Sequence, residues 1–187
     1  MTVLVTAASR HGATQAIAHE IARQLRAAGQ SADVLEPEAV DTLDGVDAVV
    51  LGSAVYRGRW LPEARNLAAR LEPDLGHRDV WLFSSGPVGE PPRPTDEVGD
   101  AAKAGRLTHA RGHRVFSGRL DRSCLSRSER VGARRLHAAD GDYRDWYQIR
   151  CWATQIADQL ASDHAIDSGP DGLGTDPGRG PIEERDP

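Results

Sequence analysis

The chain has 187 residues, 39% of them hydrophobic and 27% charged, with two cysteines and a formal net charge of -5. That length allows one ordinary domain with a real core and no need of disulfide staples. Cys124 and Cys151 are too far apart for a Cys-x-x-Cys metal or redox pair, and no run approaches the ~20 apolar residues of a membrane span. Met1–Ser9 lacks the length and basic start of a signal peptide, so a reducing cytoplasm is expected. Lys103 is the single lysine among 23 basic residues, which excludes a Gly-x-x-x-x-Gly-Lys phosphate loop and a kinase-type strand lysine.

In chain order, Thr2–Thr6 is a short continuous apolar run of the kind buried parallel strands show. A polar turn, Ser9–Thr14, comes next. Ile17, Ile21 and Leu25, with alanines between them, then mark one face of a helix stopped by Gly29. Ala32–Leu35 is a second strand and Asp47–Ser53 a third. Pro62 opens a helix carrying Ala64, Leu67, Ala68 and Leu71, and Asp79–Ser85 reads as strand four. A short helix over Thr95–Arg106 and a fifth strand over His113–Leu120 are expected next. Arg122–Asp142 is irregular, and a last helix spans Tyr143–Leu160. Alternating strands and helices at this spacing predict a parallel sheet built from βαβ units.

The domain is expected over 1–161, with a basic insert at about 103–135 and a disordered acidic Gly/Pro/Asp tail at 162–187. Lys103–Arg135 holds ten basic residues against Asp121 and Glu129, so it carries +8. Asp167–Pro187 holds six acids against two arginines, so it carries -4. The seven histidines show no convincing ligand spacing. Asp140-Gly-Asp142 is expected to be a turn and helix cap rather than a calcium loop.

In such a sheet ligands sit outside the carboxyl ends of the strands, and three loops there have unusual compositions. Ser9-Arg10-His11-Gly12-Ala13-Thr14 places hydroxyls around a glycine at a helix start. That composition suits either a phosphate or a simple turn with Ser9 as helix cap. Ser53-Ala54-Val55-Tyr56-Arg57-Gly58, with Trp60 beyond it, offers aromatics to a planar ligand or to the sheet edge. Ser85-Gly86 through Val88-Gly89 is rich in main chain, fit for a ring edge or a tight turn.

Together the three loops resemble those of the flavodoxin superfamily, and within it the flavodoxin-type, menaquinone-dependent protoporphyrinogen oxidases. Ser9-x-x-Gly12-x-Thr14 is similar to the phosphate loop, and Gly52–Gly58 to the first ring-binding loop, with Tyr56 at the stacking aromatic. Gly118-Arg119-Leu120, the basic segment and Asp145-Trp146 are similar to the oxidase branch. The resemblance covers roughly residues 2–160. It implies a flavodoxin-like three-layer α/β/α sandwich whose five parallel strands have the order 2-1-3-4-5. It further implies FMN at Ser9–Thr14, Ser53–Gly58, Ser85, Gly86, Val88 and Gly89. The sequence departs from the family at His11, usually Thr, at Ala13, often Asn, and in a third loop without an aromatic, which leaves Tyr56 and Trp60 to sandwich the ring.

The activity implied by the resemblance is flavin oxidoreduction, coupling protoporphyrinogen or a similar reduced substrate to a quinone. Its rivals are an electron-transfer flavodoxin without its own substrate, and an interaction domain that has lost tight FMN binding. Arg57 and Arg59 beside the ring loop are expected to stabilise negative charge on the flavin. The basic segment, expected on the ligand side, suits porphyrin propionates, an acidic redox partner, or anionic headgroups in a peripheral contact at the inner face of the membrane, or else is a solvated loop balanced by the acidic tail. Its one aromatic, Phe116, and the acidic whole argue against nucleic acid. If the tail screens this segment, deletion of 167–187 increases retention on anionic vesicles at low salt, with the gain fading as ionic strength rises. Unchanged retention would make the tail a solvated end.

Overall fold

The computed structural model describes residues 1–86, 99–121, 123 and 140–167. Strand β1 (Thr2–Ala8) leads into helix α1 (Ala13–Ala27), followed by β2 (Ser31–Leu35) and a 3-10 turn at Pro37–Ala39. Next come β3 (Ala48–Tyr56), β4 (Arg59–Trp60), α2 (Pro62–Arg70), α3 (Glu72–Leu75) and β5 (Asp79–Ser85). After them stand α4 (Gly99–Thr108), β6 (Gly112–Phe116), β7 (Arg119–Leu120), β8 (Gly141–Asp142) and α5 (Trp146–Asp167).

Five strands form one parallel sheet in the order β2-β1-β3-β5-β6, with β4 antiparallel to the end of β3. This is the 2-1-3-4-5 order expected from the sequence, counted over the parallel strands alone. Period-two alternation sends β1 side chains to opposite faces. Val3, Val5 and Ala7 join Ile17, Ile21, Leu25, Ile149, Ile156 and Leu160 of α1 and α5. Leu4 and Ala8 join Leu67, Ala68, Ala101 and Ala104 of α2 and α4. The result is the three-layer sandwich that the flavodoxin-like α/β fold requires.

Helix α1 ends as its sequence indicates: Gly29 takes φ 87° and the Gln30 amide donates to the Leu25 carbonyl at 3.0 Å, a Schellman closure. The last helix differs at both ends from the expected Tyr143–Leu160. Asp145 is its cap, with Oδ1 accepting the Gln148 amide at 3.0 Å while Gln148 Nε2 donates back to Oδ2 at 3.0 Å. The helix then runs to Asp167, past Ser162, where the tail was expected to begin. Asp142 is no helix cap but lies in β8.

The fifth strand is shorter than expected. Phe116 is buried, its ring 5.6 Å from Trp152 and 6.1 Å from Phe83, and this aromatic cluster closes the strand. Arg119–Leu120 instead pairs with Gly141–Asp142 in a separate antiparallel ribbon. The described part of the short helix spans Gly99–Thr108 and so runs past the expected end at Arg106, while Thr95–Val98 lie outside the described residues.

Gly52 is required by close approach, for an added Cβ would lie 2.1 Å from the Phe83 ring. Gly52→Ala should therefore lower stability by about 1–3 kcal/mol, seen as a lower midpoint in urea unfolding. Adding Phe83→Leu should recover part of that loss, and strict additivity of the two changes would refute the clash.

Candidate functional site

The carboxyl ends of β1, β3 and β5 bring the three expected loops to one edge of the sheet. At the first, Gly12 occupies the N-cap of α1 in the left-handed region (φ 75°) without a side-chain cap, and the first turn holds no acid. Ser9 is therefore no helix cap. It lines a recess of about 80 Å³ together with Gln15, Glu36, Glu38 and Glu63. Three carboxylates disqualify that recess as a phosphate seat, which leaves the amides at the start of α1. Arg10 and His11 are exposed, Ala13 half-buried, and Thr14 2% exposed in the first turn.

The second loop is not a loop but a hairpin. Val55 pairs with Trp60 and Tyr56 with Arg59, across a two-residue turn in which Arg57 (φ 53°) and Gly58 (φ 74°) are both left-handed. That is the turn geometry matching the strand twist, usually carried by Asn-Gly. With Arg in the first position it costs on the order of 1–2 kcal/mol, which the ladder and anchors must offset.

Those anchors are buried serines. Ser53 Oγ accepts the Leu61 amide at 2.9 Å and is 2.9 Å from the Ala54 carbonyl, to which it donates. Ser53 is fully buried, so its hydroxyl serves the hairpin rather than a ligand. Trp60, expected beside Tyr56 on the surface, is 2% exposed and donates its indole N–H to Ser84 Oγ at 2.8 Å. It cannot stack on a ring. Ala54 is buried, Val55 and Tyr56 are half-buried, and Arg57 and Gly58 are exposed at the tip.

At the third loop Ser85 is buried and Gly86 sits against β3, where an added Cβ would lie 3.1 Å from the Val55 Cβ and carbonyl oxygen. The Gly86 amide donates to the Phe116 carbonyl at 3.3 Å. Val88 and Gly89 lie outside the described residues.

Two arginines organise this edge, Arg10 of the expected first loop and Arg144, which the sequence expectation did not include. The Arg10 guanidinium lies 4.8 Å from the centre of the Tyr56 ring, tying the first loop to the hairpin by a cation–π contact. Arg144, its side chain 8% exposed, forms a fork with Asp142 at 2.7 and 2.6 Å and stacks 4.4 Å over Trp146. It also donates to the Ala13 carbonyl at 3.2 Å, in the first turn of α1. Arg144 beside Asp142 holds that carboxyl below its usual range, and the Gln148 amide does the same for Asp145. A run of Asp142, Arg144 and Trp146 at alternate positions was the signal available in the sequence. Its partner 131 residues away was not.

The cations are distributed differently from the sequence expectation. Arg59 is held by Asp100 at 3.4 Å, and the same carboxylate accepts the Trp60 amide at 3.1 Å. Lys103 and Arg106 lie in α4. Arg111 pairs with Asp79 at 2.7 Å and with Asp163, at the amino edge of the sheet. A recess of about 440 Å³ beside it, lined by Asp158, Gln159 and Ser162, is thus remote from the three loops. Among the described residues of the basic stretch, Arg119 is the one beside the ligand edge, where the Tyr143 amide donates to the Gly118 carbonyl at 3.1 Å.

A family model described as a flavodoxin domain matches residues 4–145. The chain belongs to this family. Among solved structures it is similar to oxidised flavodoxin 2 from Bacillus cereus, at 22% identity over 85% of this chain and 99% of the other, TM-score 0.59. It is similar to the flavodoxin of Streptococcus pneumonia TIGR4, at 20% identity over 87% and 99%, TM-score 0.56. It also resembles rubredoxin oxygen:oxidoreductase from the anaerobe Desulfovibrio gigas, at 13% identity and TM-score 0.61, over 88% of this chain but only 37% of that one. No curated protein matches. No helix among the described residues is long and apolar enough to cross a membrane.

FMN is the cofactor that family membership indicates. The residues fit it: an uncapped helix start without acids for the phosphate, and a half-buried aromatic on the neighbouring loop for the ring. Arg144→Met should weaken FMN binding about tenfold, read by quenching of flavin fluorescence, because the Arg144 side chain that supports the α1 turn is lost. An unchanged affinity would remove Arg144 from the site.

Proposed function

We propose that this FMN-binding redox protein is a two-electron oxidoreductase, oxidising a porphyrinogen or similar reduced organic substrate and passing the electrons to a quinone. The observation that carries the reading is the cationic character of the ring side: Arg10 lies over Tyr56 and Arg57 stands exposed at the hairpin tip. The residue-level resemblance at Gly118–Leu120 and Asp145-Trp146 supports the oxidase branch.

Bound FMN supplies reversible acceptance of one or two electrons. The protein's part is to hold and bias it. The amides of Gly12–Thr14 would receive the phosphate. Tyr56 would cover one face of the ring, and the Ser85-Gly86 main chain would meet its edge. Arg10 and Arg57 favour added negative charge there, the opposite of an acidic surround. The basic segment rooted at the β7–β8 ribbon suits an anionic substrate or an anionic membrane surface.

Anaerobic reductive titration of the flavin-loaded protein checks this. The two-electron potential should lie above that of a low-potential flavodoxin, and Arg57→Glu should lower it by on the order of 10–30 mV. Protoporphyrinogen should then reduce the flavin, and menaquinone reoxidise it. A low potential with no turnover of either compound would favour a plain electron carrier. A colourless protein that takes up no FMN would favour an interaction domain.

A further inference from the structure

We propose that His113, on the outer strand β6, positions the ring-binding hairpin and does so only in its neutral form. The inference goes beyond the assignment of FMN and rests on it for the cofactor readout alone.

The direction of the hydrogen-bond chain is dictated by its members. An indole N–H can only donate, and Trp60 is buried with its N–H 2.8 Å from Ser84 Oγ. Ser84 is 0% exposed. Having accepted from Trp60, its hydroxyl has one hydrogen to give, and His113 Nε2 lies 2.8 Å away. Nε2 is therefore the acceptor and the ring proton resides on Nδ1. A protonated imidazole carries hydrogen on both nitrogens. Ser84 would then meet two donors, and its own buried hydrogen would lose its acceptor, which is costly.

What this chain holds matters for the site. Strand β4 is two residues long and pairs with Val55 and Tyr56. Its register, and with it the place of Tyr56 and Arg57, depends on the Trp60 side chain staying where Ser84 fixes it. The hairpin already carries a left-handed arginine, so the loss of one anchor has a strained element to act on.

The charged and titratable groups on the elements packed against His113 are few among the described residues. Strand β5 brings Asp79, and α4 brings Asp100, Lys103 and Arg106, with His109 just past its end. Strand β6 itself follows Arg111 and carries Arg114. Asp79 and Arg111 are paired with each other, and Asp100 with Arg59. Other histidines of the chain and the phosphate of FMN also respond to pH in solution, so the pH response is read as a difference between variants.

The test uses the full chain, wild type against His113→Gln, which keeps an acceptor but does not titrate, and His113→Leu, which has none. In the protein without flavin, the 15N-resolved Trp60 indole resonance, assigned through Trp60→Phe, should move between pH 7.5 and 5.5 in wild type and stay still in His113→Gln. FMN affinity should fall about fivefold more in wild type than in His113→Gln over the same interval. At pH 7.5 His113→Gln should bind within about twofold of wild type, and His113→Leu about fivefold more weakly. A Trp60 indole indifferent to both pH and His113→Leu, in a protein that binds FMN, would overturn the chain. So would a His113→Gln variant that keeps the full wild-type pH response. A responsive indole in a protein that takes no FMN would instead overturn the flavin reading and the positioning role with it.

Discussion

Two serines standing side by side at the carboxyl ends of β3 and β5 hold the ligand edge together. Ser53 and Ser84 are register partners and both are fully buried. A buried hydroxyl must find partners, and each finds them in or beside the short return strand. Ser53 takes the Leu61 amide and Ser84 the Trp60 indole. That return strand has only two residues, too few to hold its place by ladder bonds alone. The aromatic at position 56, the cation at 57 and the left-handed turn between the strands thus depend on polar contacts made inside the core, not on the surface.

Around that anchor the edge is organised by arginines with different tasks. Arg144 has a largely covered side chain and is structural, bracing the first turn of α1 through the Ala13 carbonyl while Asp142 neutralises it. Arg59 is tethered by Asp100, and the same carboxylate ties down the Trp60 amide. Arg10 and Arg57 remain on the exposed side of the ring loop. Planar, delocalised guanidinium suits all of these tasks, stacking on Tyr56 and Trp146 and forking onto carboxylates, where a lysine would serve only as a point charge. The near-absence of lysine from this chain is consistent with that use.

Much of the fold was legible because burial imposes a period. The apolar runs at 2–6, 47–53 and 79–85 are strands buried on both faces, and the 3.6-residue spacing of Ile17, Ile21 and Leu25 is a helix face. Gly29 and Pro62 stand where a helix end and a helix start require them. The β3–β4 hairpin was not legible, since Arg-Gly lacks the usual turn signal and its stability comes from Ser84 and Ser53. Tyr56 and Trp60 look equivalent in the sequence, two aromatics beside arginines. The structure separates them, because Trp60 has the buried Ser84 hydroxyl within reach of its N–H while Tyr56 stays half-buried under Arg10.

By itself the sequence determined the layers, the strand order through the resemblance, and the place of a glycine at the start of α1. These are set by neighbours a few residues apart or by burial alone. The tertiary structure decided how the charge is used. Of a stretch carrying +8 on paper, the described cations are divided between a helix, the sheet and the ligand edge, because Arg111 meets Asp79 and Asp163 while Arg119 follows Phe116 out of the core. Electrostatic energy depends on distance through space, and a charge count along the chain contains none of those distances.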